Sequence, residues 1–148
     1  MILGVDYDTK NIHIAALGAG VILLNLKRIP VWSPYNEVFH EASKYFFSGS
    51  PELVVVEAPI YIQNAKTSFA LARVHTIITL ACEEAHIKFT TLGATRWKKL
   101  AMGEAKVNKE ETLKRMRDRF GDDVTDHHFA DSIGLALAGK ELIAQGLL

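Results

Sequence analysis

Three acidic side chains stand in apolar company. Asp6 closes the run Ile2-Leu3-Gly4-Val5, Glu57 closes Leu53-Val54-Val55-Val56, and Asp131 opens into Ser-Ile-Gly-Leu-Ala-Leu-Ala-Gly. A carboxylate directly after an apolar β-run sits at the carboxyl end of that strand, and open α/β sheets bind ligands outside those ends. If the two strands are neighbours, Asp6 and Glu57 lie side by side. Like charges that close need a cation or a shared proton. Hard divalent cations take oxygen ligands of this kind. Asp131 falls in a helix of small and apolar residues that should lie against a sheet, where an acid is either costly or in use. His128 precedes it by three residues and shares its helix face.

Each of these signals has a plainer reading when taken singly. Asp6 could be a strand-end turn residue, Glu57 could pair with Arg73 or a lysine, and His128 could be a surface or capping histidine. Asp126 reads as a helix N-cap. His127 and His128 could bind zinc, but no cysteine or spaced second pair supports that. The combination of two strand-end acids with one acid in an apolar helix is what carries the inference.

The elements that must position these residues follow from the hydrophobic pattern. Ile2–Asp6, Ile12–Ala16 and Val21–Leu26 are β-rich runs separated by Tyr7–Asn11 and Gly18-Ala19-Gly20, which predicts an antiparallel meander. Pro34 could open a helix in which Val38, Ala42, Tyr45 and Phe46 recur with helical spacing and which Gly49-Ser50-Pro51 ends. Leu53–Val56 is a continuous β-branched run typical of a strand buried on both faces. Residues 65–86 form a long helical pattern whose Phe69, Ala72, Ile77, Leu80 and Ala81 can face a core. Ile87–Leu92 reads as a fifth strand. Thr95 could cap a short helix to Ala101. Asn108 could cap the next, with Glu111 in capping-box spacing. A last helix starts around Asp126. Three strands, then strand–helix units, predict an α/β fold: a mixed five-stranded sheet, the meander plus two parallel strands, flanked by helices.

Length and composition narrow the class. The chain has 148 residues, 49% hydrophobic and 23% charged. This fits one globular domain over residues 1–148 and excludes disordered, collagen-like and disulfide-scaffold chains. Cys82 is the single cysteine and falls on the apolar side of its helix, a core position. No stretch has the roughly 20 apolar residues of a membrane span, and no basic segment precedes the opening apolar run, so the expectation is a cytoplasmic protein without a membrane partner. The net charge is zero, but residues 88–120 carry ten Lys and Arg against four Asp and Glu, while residues 121–148 carry one against five. An anionic partner held on one face, with carboxylates nearby, fits that asymmetry; a solvated helix face is the plainer alternative. Gly18-x-Gly20 has Leu23 where a dinucleotide fingerprint needs glycine, and neither a phosphate-binding Gly-Lys-Ser/Thr loop nor Gly-x-Ser-x-Gly occurs, so no nucleotide cofactor is expected. Actin-like phosphotransferases also open with a Gly-x-Asp strand, but they need two such domains.

These residues resemble a known family. ILGVDYDTKNIHIAAL looks like the opening of the RuvC-type Holliday junction resolvases, whose fold is ribonuclease H-like. LVVVEAP resembles their second acidic strand. The segment from Gln63 to Glu111 resembles their long helix, fifth strand and lysine-bearing stretch, and HHFADSIGLALA their final acidic helix. The resemblance implies that Asp6, Glu57 and Asp131 are metal-binding carboxylates, with His128 at the fourth position, which some members fill with Asp and others with His. It places Lys98 and Lys109 near the scissile phosphate, with Lys106 between them able to assist, and Asn64 in the loop after Glu57. Where the family often presents an aromatic residue that stacks on an unpaired base, this chain has Ile60 with Tyr61 next to it, and Tyr61 could do that stacking.

The activity implied is hydrolysis of DNA phosphodiesters with Mg²⁺ or Mn²⁺, two ions per site, and paired symmetric nicks in a four-way junction. Arg96, Lys99 and Lys114 would hold flanking backbone. A homodimer is implied, because a two-fold pair puts one site on each symmetric strand; the helix at 65–86 is a candidate pairing surface. The competing readings are a nuclease of the same fold acting on other branched DNA or on RNA–DNA hybrids, and a junction-binding module with idle acids.

Overall fold

The computed structural model describes residues 1–32, 34–60 and 64–148. Tyr61, the expected stacking residue, lies outside them. The strands are β1 (Ile2–Tyr7), β2 (Asn11–Leu17), β3 (Leu23–Pro30), β4 (Leu53–Glu57) and β5 (Phe89–Leu92); the helices are α1 (Tyr35–Gly49), α2 (Ala65–Glu84), α3 (Ala94–Met102), α4 (Lys109–Phe120) and α5 (His127–Ala144). They form one sheet in the order β3-β2-β1-β4-β5. β1–β2 and β2–β3 pair antiparallel, and β1–β4 and β4–β5 pair parallel. This is the expected mixed sheet, a meander extended by two parallel strands.

Alternation along the central strands feeds two cores. Leu3, Val5, Ile12, Ile14, Val54 and Val56 meet Phe46 of α1 and Val74 and Ile78 of α2 on one face. Ile2, Ala15, Leu17 and Val55 meet Trp97 of α3, Met116 of α4 and Ile133 and Ala136 of α5 on the other. With both faces covered, β4 needs the unbroken apolar run seen in its sequence. α5 sits unusually close to β1. A Cβ added to Gly4 would collide with the Ser132 carbonyl, so only glycine permits this approach. The Ser132 hydroxyl reaches across to β2, 2.9 Å from the His13 carbonyl oxygen. Among the described residues, no helix is long and apolar enough to cross a membrane.

Several local expectations are corrected. The third strand starts at Leu23, because Ala19–Val21 form a single 3-10 turn with Gly20 and Val21 at positive φ (68° and 58°), and it runs on to Pro30. The fifth strand begins at Phe89. The residue capping α3 is Gly93, and Thr95 lies inside the helix. Asn108 does cap α4, accepting from the Glu111 N–H at 2.8 Å, but the Glu111 carboxylate turns to Arg115 instead of closing a reciprocal box. In α2, Ile77 and Ala81 are buried as expected, whereas Phe69 (70% exposed), Ala72 and Leu80 (47%) face outward. The helix has two apolar stripes, and the sheet uses the one through Val74, Ile78 and Cys82. Burial there pushes the Cys82 thiol up to about 12, as suits a core residue.

Candidate active site and metal centre

The parallel β1–β4 register ends with Val5 beside Val56, so the next residue of each strand is an acid at the carboxyl edge of the sheet. Asp6 is 3% exposed. Burial, and then the neighbouring Glu57 and Asp131 carboxylates, push its pKa well above the usual carboxylate range. Asp131, one helical turn into α5, is pushed up to about 7 by burial and by Glu57, against the opposing pull of Lys98, His128 and Lys109. Three carboxylates from two strands and one helix thus act on one another at the carboxyl edge of the sheet.

Glu57 is oriented by Trp97, whose buried indole N–H donates to Oε1 at 3.0 Å. Arg73, the alternative partner, donates to the Tyr35 hydroxyl instead. His128 Nδ1 lies 2.8 Å from Asp6 Oδ2, and its Nε2 lies 3.4 Å from Asp8 Oδ2. Asp126 is the N-cap of α5, accepting from the Phe129 N–H at 3.0 Å, and also meets Arg28 at 3.2 Å. Burial raises its carboxyl, but that N–H bond, His13, His128 and Arg28 together hold it below the usual range.

The basic residues divide by place. Lys98 and Lys109 both act on Asp131, and Lys98 is tethered by donating to the Val107 carbonyl at 2.8 Å. Lys109 is the first residue of α4, and Lys106 is exposed in the loop before it. Lys114 pairs with Asp118 at 3.5 Å on the solvent side of α4. Arg96 and Lys99 are exposed beside Glu141, Leu142 and Gln145, ten residues and about 15 Å along α5 from Asp131. Asn64 caps α2 by accepting from the Thr67 N–H at 3.3 Å. The site thus gathers Asp6, Glu57, His128, Asp131, Lys98 and Lys109, and leaves Arg96, Lys99 and Lys114 on outlying surfaces.

Two site residues escaped the sequence reading. His13 pairs with Asp6 across β1–β2, is 2% exposed and stacks on His128 with ring centroids 4.6 Å apart. Burial, then His128, lowers its pKa to about 4, so it is a neutral ring. Asp8 lies in the turn after β1. A histidine between Ile12 and Ile14 and an Asp-x-Asp pair were the visible signals.

The residues fit a divalent cation. Buried carboxylates whose mutual repulsion raises Asp6 and Asp131 form an oxygen-rich donor set that a cation would relieve, and the His128 ring nitrogen is one more donor beside them. The family model described as crossover junction endodeoxyribonuclease RuvC matches residues 4–139. The chain belongs to the RuvC family. RuvC-family nucleases are metal-dependent, in keeping with the cluster at Asp6. Among solved structures, Thermus thermophilus RuvC matches with a TM-score of 0.78 and 18% identity over 99% of this chain and 96% of that one. The same protein in complex with a Holliday junction substrate matches with a TM-score of 0.81, again at 18% identity, over 99% and 96%. The yeast mitochondrial Holliday junction resolvase Ydc2 matches at 0.67 and 12% identity, over 97% of this chain and 79% of that one. All three share the RuvC fold described above.

Proposed function

We propose that this protein resolves Holliday junctions, making paired symmetric nicks in four-way DNA with Mg²⁺ or Mn²⁺, two ions per site. The observation that carries this reading is the convergence of Asp6, Glu57, Asp131 and His128 at the carboxyl edge of a RuvC-type sheet, beside Lys98 and Lys109.

Asp6, Glu57, Asp131 and His128 would hold the metal, which supplies Lewis acidity toward the phosphate and lowers the pKa of bound water. Asp6, the most buried of the acids, meets His128 directly and is acted on by both Glu57 and Asp131. Trp97 holds Glu57 to one rotamer. Lys98 and Lys109 stabilise charge that develops on the phosphate oxygens. Lys106, with Arg96, Lys99 and Lys114 farther out, holds flanking backbone, and binding therefore weakens with salt. Asn64 and Tyr61 contact the branch point. A homodimer sets one site on each symmetric strand. The exposed stripe of Phe69, Ala72 and Leu80 on α2 is the pairing surface this reading favours. The whole chain works as one nuclease domain, in the cytoplasm.

The test is cleavage of a labelled four-way junction beside linear duplex, a three-way fork and an RNA–DNA hybrid, with Asp6→Asn as control. Paired symmetric nicks in the four-way junction alone, absent in the variant, are the expected result. Cutting of the fork or hybrid instead moves the substrate. Tight binding without cutting favours an idle binding module.

A further inference from the structure

His128 is a single side chain on the first turn of a helix, yet four other groups surround it, the first being the neighbouring His127 ring, tilted by 36° with centroids 4.2 Å apart. Its Nδ1 faces Asp6. Its Nε2 lies 3.4 Å from Asp8 Oδ2, an ion-pair separation. Its ring lies parallel to that of His13, with 9° between the planes. Asp8 is itself immobilised: its Oδ1 accepts from the Lys10 and Asn11 N–H groups, both at 2.7 Å, so the turn aims Oδ2 outward. His13 is immobilised too. It is wedged in β2 with the Phe129 ring edge-on at 5.1 Å, and its Nδ1 is buried without a hydrogen-bond partner among the described residues.

Asp6, His13 and His128 bring donor atoms within 4.8 Å of one another, as three ligands of one ion would. Ring geometry argues against that use of His13. An imidazole nitrogen directs its lone pair in the ring plane, so a bound ion lies near that plane. Two stacked, parallel rings have separate planes, and one ion cannot lie in both. His13 is therefore placed to support His128 from its face, not to share its metal.

We propose that Asp8 and His13 are positioning residues for His128: the Asp8 carboxylate attracts the Nε2 edge of the ring, whose N–H stays on the ring, and so leaves Nδ1 to face the metal beside Asp6, while His13 stacks on the ring to fix its rotation. A ligating histidine commonly gives its second N–H to a carboxylate, and removing that partner costs roughly ten- to hundredfold in metal affinity. Here the carboxylate comes from the turn after β1 and the stacking ring from β2, so two strands orient a ligand carried by α5. This inference rests on the reading of the site as a metal-dependent nuclease centre.

The experiment is Mn²⁺ binding without DNA, followed by electron paramagnetic resonance, on the wild type and on Asp8→Asn, His13→Ala and His13→Phe. Melting curves and junction binding in EDTA check the fold. The expected result is affinity weaker by about ten- to hundredfold in Asp8→Asn and His13→Ala, with His13→Phe close to wild type because it keeps a stacking ring. In cleavage, the half-saturating Mn²⁺ concentration should rise by the same factor while the rate at saturating Mn²⁺ recovers; a merely structural defect would not give that split. Affinities within about twofold of wild type in folded Asp8→Asn and His13→Ala would overturn the proposal. If His13→Ala does not fold, weak binding by folded His13→Phe overturns the stacking role, and Asp8→Asn alone decides the other. A wild type that takes up no Mn²⁺ overturns the metal-centre reading along with this one, whereas a wild type that binds Mn²⁺ beside unaffected variants overturns this one only.

Discussion

Oδ2 of Asp6 and Nδ1 of His128 lie 2.8 Å apart although 122 positions separate them in the chain. Two lone pairs at that distance repel, so without metal a proton lies between them. Asp6 belongs to the centre of the sheet and His128 to the first turn of α5. Their contact joins the two halves of the site, and its geometry is set by how closely Gly4 lets that helix approach.

Asp6→Asn should reduce cleavage to background while leaving junction binding intact, because it removes the central carboxylate and leaves the basic residues of α3 and α4 untouched. Gel-shift titrations in EDTA and nicking assays in Mg²⁺ check the two halves. Loss of both activities in a folded variant would merge the catalytic and positioning roles separated here.

Stability without metal should fall as pH rises. Asp131 binds its proton with a pKa of about 7 in the folded protein against 3.8 in the unfolded chain, and Asp6 is shifted in the same direction. Between those limits the folded state holds more protons, so the contribution is fully present below about pH 4 and is lost as pH approaches 7. Divalent cation binds the deprotonated acids and reverses this loss. Thermal melts should show Mg²⁺ raising Tm more at about pH 8 than at about pH 5; equal shifts at both would contradict the assignment.

Trp97→Phe keeps an aromatic ring in the core but removes the N–H that holds Glu57. A hydrogen bond to a charged group of this kind contributes about 2 kcal/mol. The variant should melt lower by that order and need about tenfold more metal for half-maximal cleavage. Chemical denaturation and a metal titration of the nicking rate test both.

Gly4→Ala places a methyl group against the Ser132 carbonyl. The neighbour is backbone, so α5 must move as a body, at a cost of about 3 kcal/mol. Cleavage should fall further than stability, since the displaced helix carries His128 and Asp131; the comparison is residual activity at a temperature where the variant remains folded.

Lys109→Ala and Lys114→Ala should differ in kind. The first should lower the cleavage rate by roughly 10²-fold at saturating junction, because Lys109 acts on the acid cluster. The second should leave that rate near wild type and reduce the salt slope of binding by about one. A rate loss in Lys114→Ala would place α4's outer face at the reacting phosphate.

The sheet and the acid cluster were legible because both rest on short-range patterns. An acid ending an apolar run marks a strand end, and Asp131 in a small-residue helix marks a buried charge with a use. What escaped depends on how elements are set against one another. His13 reads as a strand residue until the β1–β2 register puts it beside Asp6 and the rotation of α5 lays His128 on it. Asp8 reads as a turn former, which it also is. Phe69, Ala72 and Leu80 fit the helical period as well as the buried residues do. Periodicity shows that a helix has apolar stripes but not which stripe the sheet covers.

The order of the elements along the chain also bears on when this site can exist. β1 and β4 leave a ribosome before α5 does, and with them Asp6 and Glu57; His128 and Asp131 follow with α5. Domains generally fold as units during synthesis. A nascent chain without α5 lacks much of one core and half of the ligand set, so it can neither complete the fold nor cut. Cutting therefore waits for α5, which alone brings His128 and Asp131 to the strand ends that carry Asp6 and Glu57.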